Sequence, residues 1–377
     1  MASSDLSLVT AALFALLLVA HGLIHLLGFA KAFHLADLPQ LTQPIPRLVG
    51  ALWLISAIFF LAAAASLLMN VRAWWAIAAA GLVISVVVIG TSWTNAKFGL
   101  LPNVVVLVAV VFGFLSQGPT SLRAEYDRDT GHALARAVMP EPLTDASLAH
   151  LPEPVQRYLH GSGVVGLPRV HNFYARMHGR IRSGPGARWM PFSAEQYNIV
   201  DQPARLFYLN ASMFALPVQG YHRYVGASAT MRVKAAGLVR VVDAAGGELN
   251  RAETVTMFND MCVLAPATLI DPAITWEHVD ARTVRAAFAN AGLTIRAELS
   301  FNHAGELVDF QSDDRYQTAS DGRGARRMRW STPLHAHRAF GPVRLASRGE
   351  GRWHEPEGEY AYIELTIDEV RYNVSGR

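Results

Sequence analysis

Glu253 and Asp260 are the carboxylates whose type and spacing first suggest chemistry. They stand seven residues apart in NRAETVTMFNDMCVLAPATLIDP (250–272), on one helical face and roughly 10 Å apart along the axis. Two acids so placed suit general acid–base work or a metal ion, and Asp271 follows within the same segment. A plainer reading competes. Asn250 and Glu253 have the spacing of a capping box, in which each side chain bonds the other's backbone amide. That spacing accounts for Glu253 without chemistry and leaves Asp260 to bond a neighbouring loop, which is the expectation. Cys262, the only cysteine, shares an apolar face with Val255, Phe258, Met261 and Ala265, so it reads as a small core hydrophobe. Pro266 ends the helix near Leu264, and Pro272 closes the segment after it.

The other candidate groups fall on β-like segments. In Glu306–Tyr316 the parity puts Val308, Phe310, Ser312, Asp314 and Tyr316 on one face, with Asp313 and Arg315 on the other. A carboxylate on a core face must find a partner, shift its pKa or line a cavity, and Arg329 or a histidine would serve Asp314. Trp189, Met190, Glu195, Tyr197 and Asn198 crowd into WMPFSAEQYN (189–198); Phe192, Phe207, Tyr208, Met213 and Phe214 add apolar surface nearby. His222, Asn259 and Trp330 complete the candidate binding set. His335 and His337 share a strand face and with His354 could make a metal set, but HxH alone is a weak signal, so no metal or cofactor is assigned.

His21 and His25 share one face of the first apolar run, where a haem, a quinone or a proton relay would use them. Axial haem ligation normally needs an opposing histidine, and the other apolar runs hold none. The pair is expected to bond Asn70, Ser85, Thr91 or Asn95 instead.

Four elements mount this machinery. Leu6–Phe29, Leu48–Met69, Ala73–Trp93 and Leu100–Ser116 are apolar runs at or above the ~17–20 residues a bilayer crossing takes. A cleavable signal is not expected, because no positive region precedes a run of that length. Trp53, Trp74, Trp75 and Trp93 sit near run ends, as interfacial anchors do, and Gly22, Gly28, Gly50, Gly81 and Gly90 suit close helix contacts. Residues 1–120 hold only Lys31, Arg47, Arg72 and Lys97 against Asp5 and Asp37, so the rest carries 29 of 33 basic and 28 of 30 acidic residues. That balance makes no electrostatic case for nucleic acid. The loop cations divide evenly between the two sides, and the acidic start leans towards an extracytoplasmic soluble part. The expected address is the bacterial inner membrane, with the lipid bilayer as partner; nothing fixes an oligomeric state.

Residues 121–150 read as a linker, with a short helix over Asp129–Val138 and the extended spacers MPEPL and LPEPV. Residues 151–377 then turn to β. Phe173–Ile181, Trp189–Val200, Arg205–Phe214, Tyr221–Val233, Leu293–Phe301, Arg326–Thr332, Val343–His354 and Glu359–Val374 have strand patterns separated by proline and glycine turns. The fold class that follows is a four-helix transmembrane segment (1–120) and an α+β soluble domain, a large curved antiparallel sheet packed on a short helix.

At WMPFSAEQYN (189–198), AETVTMFNDMCVLAPATLIDP (252–272) and SDDRY (312–316) the chain resembles a family of bacterial membrane proteins with N-terminal transmembrane helices and a soluble domain of unknown function. The likeness covers most of 150–374 and implies no catalytic residues. More loosely, many antiparallel strands about a helix resemble the half-barrels of lipoprotein carriers. The first functional expectation is a soluble domain that binds a hydrophobic or lipid-like ligand at the membrane surface. The second is a membrane-anchored hydrolase or metal-assisted enzyme using Glu195, His222, Asp260, Asp271, Asp313, Asp314 and Arg315. A cleft where those groups converge would favour the second.

Overall fold

The computed structural model describes residues 2–135, 141–213, 216–318 and 324–375. They form two compact units, Met1–Ala124 with Ala236–Leu238, and Glu125–Ala235 with Val239–Arg377.

In the first unit, α1 (Ala2–Ala32), α2 (Arg47–Leu68), α3 (Trp74–Thr91) and α5 (Leu100–Gln117) are long and apolar enough to cross a membrane. The single turn α4 (Trp93–Ala96) precedes α5. Leu16, Leu23, Val83, Val87, Leu107 and Val108 lie on outward faces, as lipid-facing residues would. Trp53 and Trp74, read above as interfacial anchors, are instead buried in the bundle; Trp93 is exposed.

Small residues set the helix contacts. A Cβ at Gly50 would stand 2.2 Å from the Ala32 methyl, and one at Gly28 only 2.4 Å from the Trp53 ring. Gly90 corrects the expectation for its class, since nothing lies within 4 Å of it. Gly50→Leu should therefore force α1 and α2 apart at ~1–3 kcal/mol or more. Thermal unfolding in detergent should show this, with Gly90→Leu nearly silent.

His21 and His25 close a ring of hydrogen bonds across the bundle. His21 Nε2 donates to Asn103 Oδ1 (2.9 Å), Asn103 Nδ2 to Ser85 Oγ (2.9 Å), Ser85 Oγ to His25 Nε2 (2.9 Å), and His25 Nδ1 to the His21 carbonyl (2.8 Å). The Asn103 carboxamide oxygen makes His21 Nε2 the donor, and the His21 carbonyl makes His25 Nδ1 the donor, which leaves the neutral His25 Nε2 to accept. Ser85 was an expected partner and Asn103 was not; Thr91 bonds Val88 and Asn95 lies beside Thr42. Both Nε2 atoms that would face a haem iron are engaged by the bundle's own side chains.

The second unit begins within α6 (Leu122–Ala133), which starts earlier than the expected Asp129–Val138 helix; residues 136–140 lie outside the described set. A single turn α7 (Asp145–Leu148) and α8 (Glu153–Ser162) lead into the sheet. The sheet's first half is β1 (Asn172–Ile181), β2 (Met190–Ile199), β3 (Ala204–Met213), β4 (Leu216–Val225), β5 (Ser228–Ala235) and β6 (Val239–Ala245). After α9 (Gly247–Leu264) come β7 (Ile274–Asp280), β8 (Thr283–Asn290), β9 (Leu293–Phe301), β10 (Leu307–Thr318), β11 (Ala325–Ser331), β12 (Leu334–Phe340), β13 (Val343–Glu355) and β14 (Gly358–Tyr372).

The order is β6-β5-β4-β3-β2-β1-β14-β13-β11-β10-β9-β8-β7, with β12 also on β13, and every pairing is antiparallel. The sheet curls as a half-barrel about α9. Tyr221–Val233 proves to be two strands turned at Gly226–Ala227, and β6, β7, β8 and β12 have no counterpart among the expected strands. Positive φ at Gly226–Ala227, Ala236–Gly237 and Ala291–Gly292 supplies the tight hairpin turns such twisted strands need.

Candidate functional site

Strand register divides the inner face into a packed end and an open one. The β2–β3 and β4–β5 turns lie at one rim, here the lower; the β1–β2, β3–β4 and β5–β6 connections lie at the upper. Helix α9 is tied to the lower rim at both ends. Asn250 Oδ1 accepts from the Ala229 amide (2.7 Å), and the Tyr372 hydroxyl donates to the Leu264 carbonyl (2.6 Å). Tyr158 donates to the Cys262 carbonyl (2.9 Å), so two tyrosines satisfy helix-end acceptors that would otherwise be orphaned. Inward residues near this rim, among them Phe173, Ala175, Tyr224 and Ile367, are buried. Further up the same strands Ile181, Leu209, Val233, Tyr362, Ile363 and Leu365 are only half-buried. The interior is thus packed beside α9, and higher up buried Phe192, Ala211 and Val218 alternate with half-buried side chains.

The boundary between the two zones is charged. α9 starts at Gly247 rather than at Asn250, so Glu253 is not in a capping box. Instead both faces of the helix are covered, and its acids need a cation. Arg205, on the inward face of β3, supplies it: Nε donates to Asp260 Oδ2 (2.6 Å) and Nη1 to Glu253 Oε2 (3.2 Å). Gln196 Nε2 (3.0 Å) and Asn198 Nδ2 (3.2 Å) donate to the same Asp260 oxygen. His222 Nδ1 lies 3.3 Å from Glu253 Oε1. Asp260 therefore bonds strands, not the neighbouring loop expected for it. Burial pushes the Glu253 carboxyl up, but the His222 hydrogen bond and the Arg205, His222 and Arg315 charges outweigh it and hold the group down at about 2. Burial likewise pushes Arg205 down, and Asp260 and Glu253 more than restore it.

Arg315 is the second cation at this boundary, and it overturns the parity read from sequence. The ladder slips between Ser312 and Arg315, where β10 bulges. After the bulge Arg315 points inward and donates to Thr256 Oγ1 (2.5 Å), with its Cζ 4.2 Å from the Trp330 ring centroid and 5.7 Å from that of Trp353. Its Nε and the Trp330 Nε1 are buried donors with no acceptor among the described residues. Trp353 stacks on Tyr362 at 5.7 Å, carrying the aromatic surface up into the half-buried wall. Asp314 is buried in the bulge, where Arg327 Nη2 (2.5 Å), Arg251 Nη1 (3.4 Å) and the Arg296 amide (2.7 Å) hold it. Arg329, the partner expected for it, pairs outside with Asp313 (2.8 Å).

The sequence candidates thus separate. Asn198, His222, Glu253, Asn259, Asp260, Arg315 and Trp330 meet on the inner face, where Asn259 Nδ2 donates to Thr332 (2.8 Å). Met190 pairs with Ile181 at the upper wall. Glu195 and Tyr197 face outward, and Glu195 accepts from Tyr174 (3.4 Å). Trp189 lies beneath the guanidiniums of Arg180 (4.6 Å) and Arg182 (4.4 Å). Asp271 caps its own turn through the Ala273 amide (2.8 Å). Asp313 lines an outer-face groove of about 620 Å³ with Arg285, Arg296, Glu298 and Arg329. Phe214 lies outside the described residues.

Arg205 and Gln196 were missed. Their parity with Asn198 and Phe207 was readable, but nothing in the sequence marks which arginine enters a core. Among the described residues no three His, Cys, Asp or Glu side chains gather as a metal would require; His354 instead bonds Ser331 (2.8 Å) and His337 the Leu307 carbonyl (3.1 Å).

Residues 141–365, which span this site and most of the sheet, match the model of a family of unknown function, DUF6544. The chain belongs to that family. DUF6544 thus takes in the β-rich unit of the chain and not its apolar helices, as the resemblance at 189–198, 252–272 and 312–316 implies. No curated protein matches. Two solved structures are similar at low level. One is a domain assigned to outer membrane lipoprotein sorting from Vibrio parahaemolyticus (8% identity, 53% of this chain and 85% of that one, TM-score 0.33). The other is a DUF1329 family protein from Desulfovibrio piger (10% identity, 62% and 95%, TM-score 0.35). At these values neither carries an assignment.

Proposed function

We propose that the β-rich unit holds an amphiphile at the inner-membrane surface, its chain along the upper wall and its acidic head at Arg315. The burial gradient along β1 and β5 carries this reading: inner-face Phe173, Ala175 and Ala229 are buried below, and Ile181 and Val233 are half-open above. Support comes from Arg315 Nε and Trp330 Nε1, two donors at the base of that wall with no acceptor among the described residues. A carboxylate or phosphate would satisfy both.

A photoactivatable fatty acid incubated with the full chain in amphipol should label peptides containing Ile181 and Tyr360–Leu365. Leu365→Arg should reduce that labelling about ten-fold, as placing a charge on an apolar wall would, while Glu195→Gln on the outer face leaves it intact. Label confined to the four apolar helices would rule the reading out. The hydrolase alternative draws no such support, because Glu195, Asp271 and Asp313 face away from Asp260, His222 and Arg315.

A further inference from the structure

We infer that Ser331, His354 and Glu359 form a nucleophilic triad on the outer face of the sheet, for an ester that carries an anionic group. Three strands supply the pieces. Trp330 and Trp353 pair across β11 and β13 and both approach the inward Arg315, so alternation turns Ser331 and His354 to the opposite face. There Ser331 Oγ lies 2.8 Å from His354 Nε2, and His354 Nδ1 lies 3.3 Å from Glu359 Oε2. Glu359 stands opposite His354 on β14, and Arg352 Nη1 donates to its other oxygen (2.6 Å). A serine on Nε2, a carboxylate on Nδ1 and a further group fixing that carboxylate are the contacts that activate a hydroxyl. None of the carboxylates weighed above for a hydrolase takes part, and the site is separate from the inner-face ligand reading.

The neighbouring groove indicates the substrate. Gln311, the Cα partner of Ser331 on β10, and Arg329, on the same face of β11 as Ser331, both line the outer-face groove of about 620 Å³. Of its four arginines, Arg285, Arg327 and Arg329 are paired with carboxylates. The Arg296 guanidinium has no carboxylate within salt-bridge distance among the described residues, so it is the one left for an anionic group on the substrate. In the reaction Ser331 Oγ bonds the ester carbonyl carbon as its proton passes to His354 Nε2. Arg352, the Cα partner of Ser331 on β13, supplies positive charge for the developing oxyanion. The bond from that carbon to the alcohol oxygen then breaks, and the alcohol leaves with the proton from Nε2. Water attacks the acyl-serine by the same route, releasing the acid and restoring the hydroxyl. Ser331 is 1% exposed, so an ester reaches Oγ only by displacing the side chains over it, and slow turnover is expected.

A fluorophosphonate probe incubated with the full chain in detergent should label the peptide containing Ser331, and Ser331→Ala should carry no label there. The chain should also hydrolyse mono-4-nitrophenyl glutarate, and His354→Gln should slow this ~100-fold or more. Glu359→Gln should lower kcat about ten-fold at unchanged KM, and Arg296→Gln should raise KM for this ester but not for 4-nitrophenyl acetate. Should Ser331→Ala unfold, Ser331→Cys keeps the shape of the site. Because Cys262 is buried, iodoacetamide should then alkylate the new thiol, and more slowly once His354→Gln is added. An unlabelled Ser331 peptide in the native chain, or label and hydrolysis that persist in Ser331→Ala, overturns the inference. Neither result depends on whether the fatty acid labels β14, so the ligand reading and this one fail separately.

Discussion

Replacing Arg205 with methionine should cost ~3–5 kcal/mol of stability, the range for removing one partner of a buried ion pair. The arginine is the only guanidinium within salt-bridge distance of Glu253 and Asp260 among the described residues, and all three side chains are nearly excluded from solvent. Its loss leaves two carboxylates at the interior boundary with only amide and imidazole donors. Replacing all three, as Arg205→Met with Glu253→Gln and Asp260→Asn, should recover part of the loss, because an uncharged set of similar volume no longer pairs badly. Chemical unfolding of the detergent-solubilised chain reads both, and a single-variant cost below ~1 kcal/mol would contradict the buried assignment.

Acid should undo the same pairing in a definite window. Glu253 is held down at about 2, against an ordinary value of 4.5. A carboxylate depressed in the folded state contributes stability that is complete above its unfolded pKa and is lost as pH falls through the folded one. The loss should therefore run between about pH 4.5 and pH 2 and be on the order of 3 kcal/mol. Glu253→Gln should be less stable at neutral pH and should lack this component of the acid limb. A variant whose pH profile parallels the wild-type one would show that other carboxylates govern it.

Much of this architecture is legible in the sequence because burial patterns with short periods are local. The four apolar runs, the alternation in Leu293–Phe301 and the proline stops after Leu264 each fix an element without reference to partners. The candidate site was legible only in part, and for physical reasons. Asn250 and Glu253 have capping-box spacing, but a glycine turn at Gly246 starts the helix one turn early and frees Glu253 for a strand arginine. The parity of β10 holds up to Ser312 and then slips at a bulge, which turns Arg315 inward while Asp313 keeps the outward face expected of both. Glu195 and Tyr197 share β2 with Asn198, yet alternation sends only Asn198 to the interior, and choosing between faces required knowing where α9 lies. Charged residues in a core carry no composition signal, so Arg205 looked like any other of the chain's thirty arginines.

The middle of the sheet is made by its first and last strands, with Phe173 paired to Tyr372 and Ile181 to Ile363. During synthesis, then, β1 must wait with one edge bare until Gly358–Tyr372 has left the ribosome. Contacts so distant in sequence form slowly, and an unpartnered edge invites wrong strand mates meanwhile. A nascent chain stopped short of Gly358 would display that edge permanently, which makes the fifteen-residue strand β14 the step that commits the sheet to its native topology.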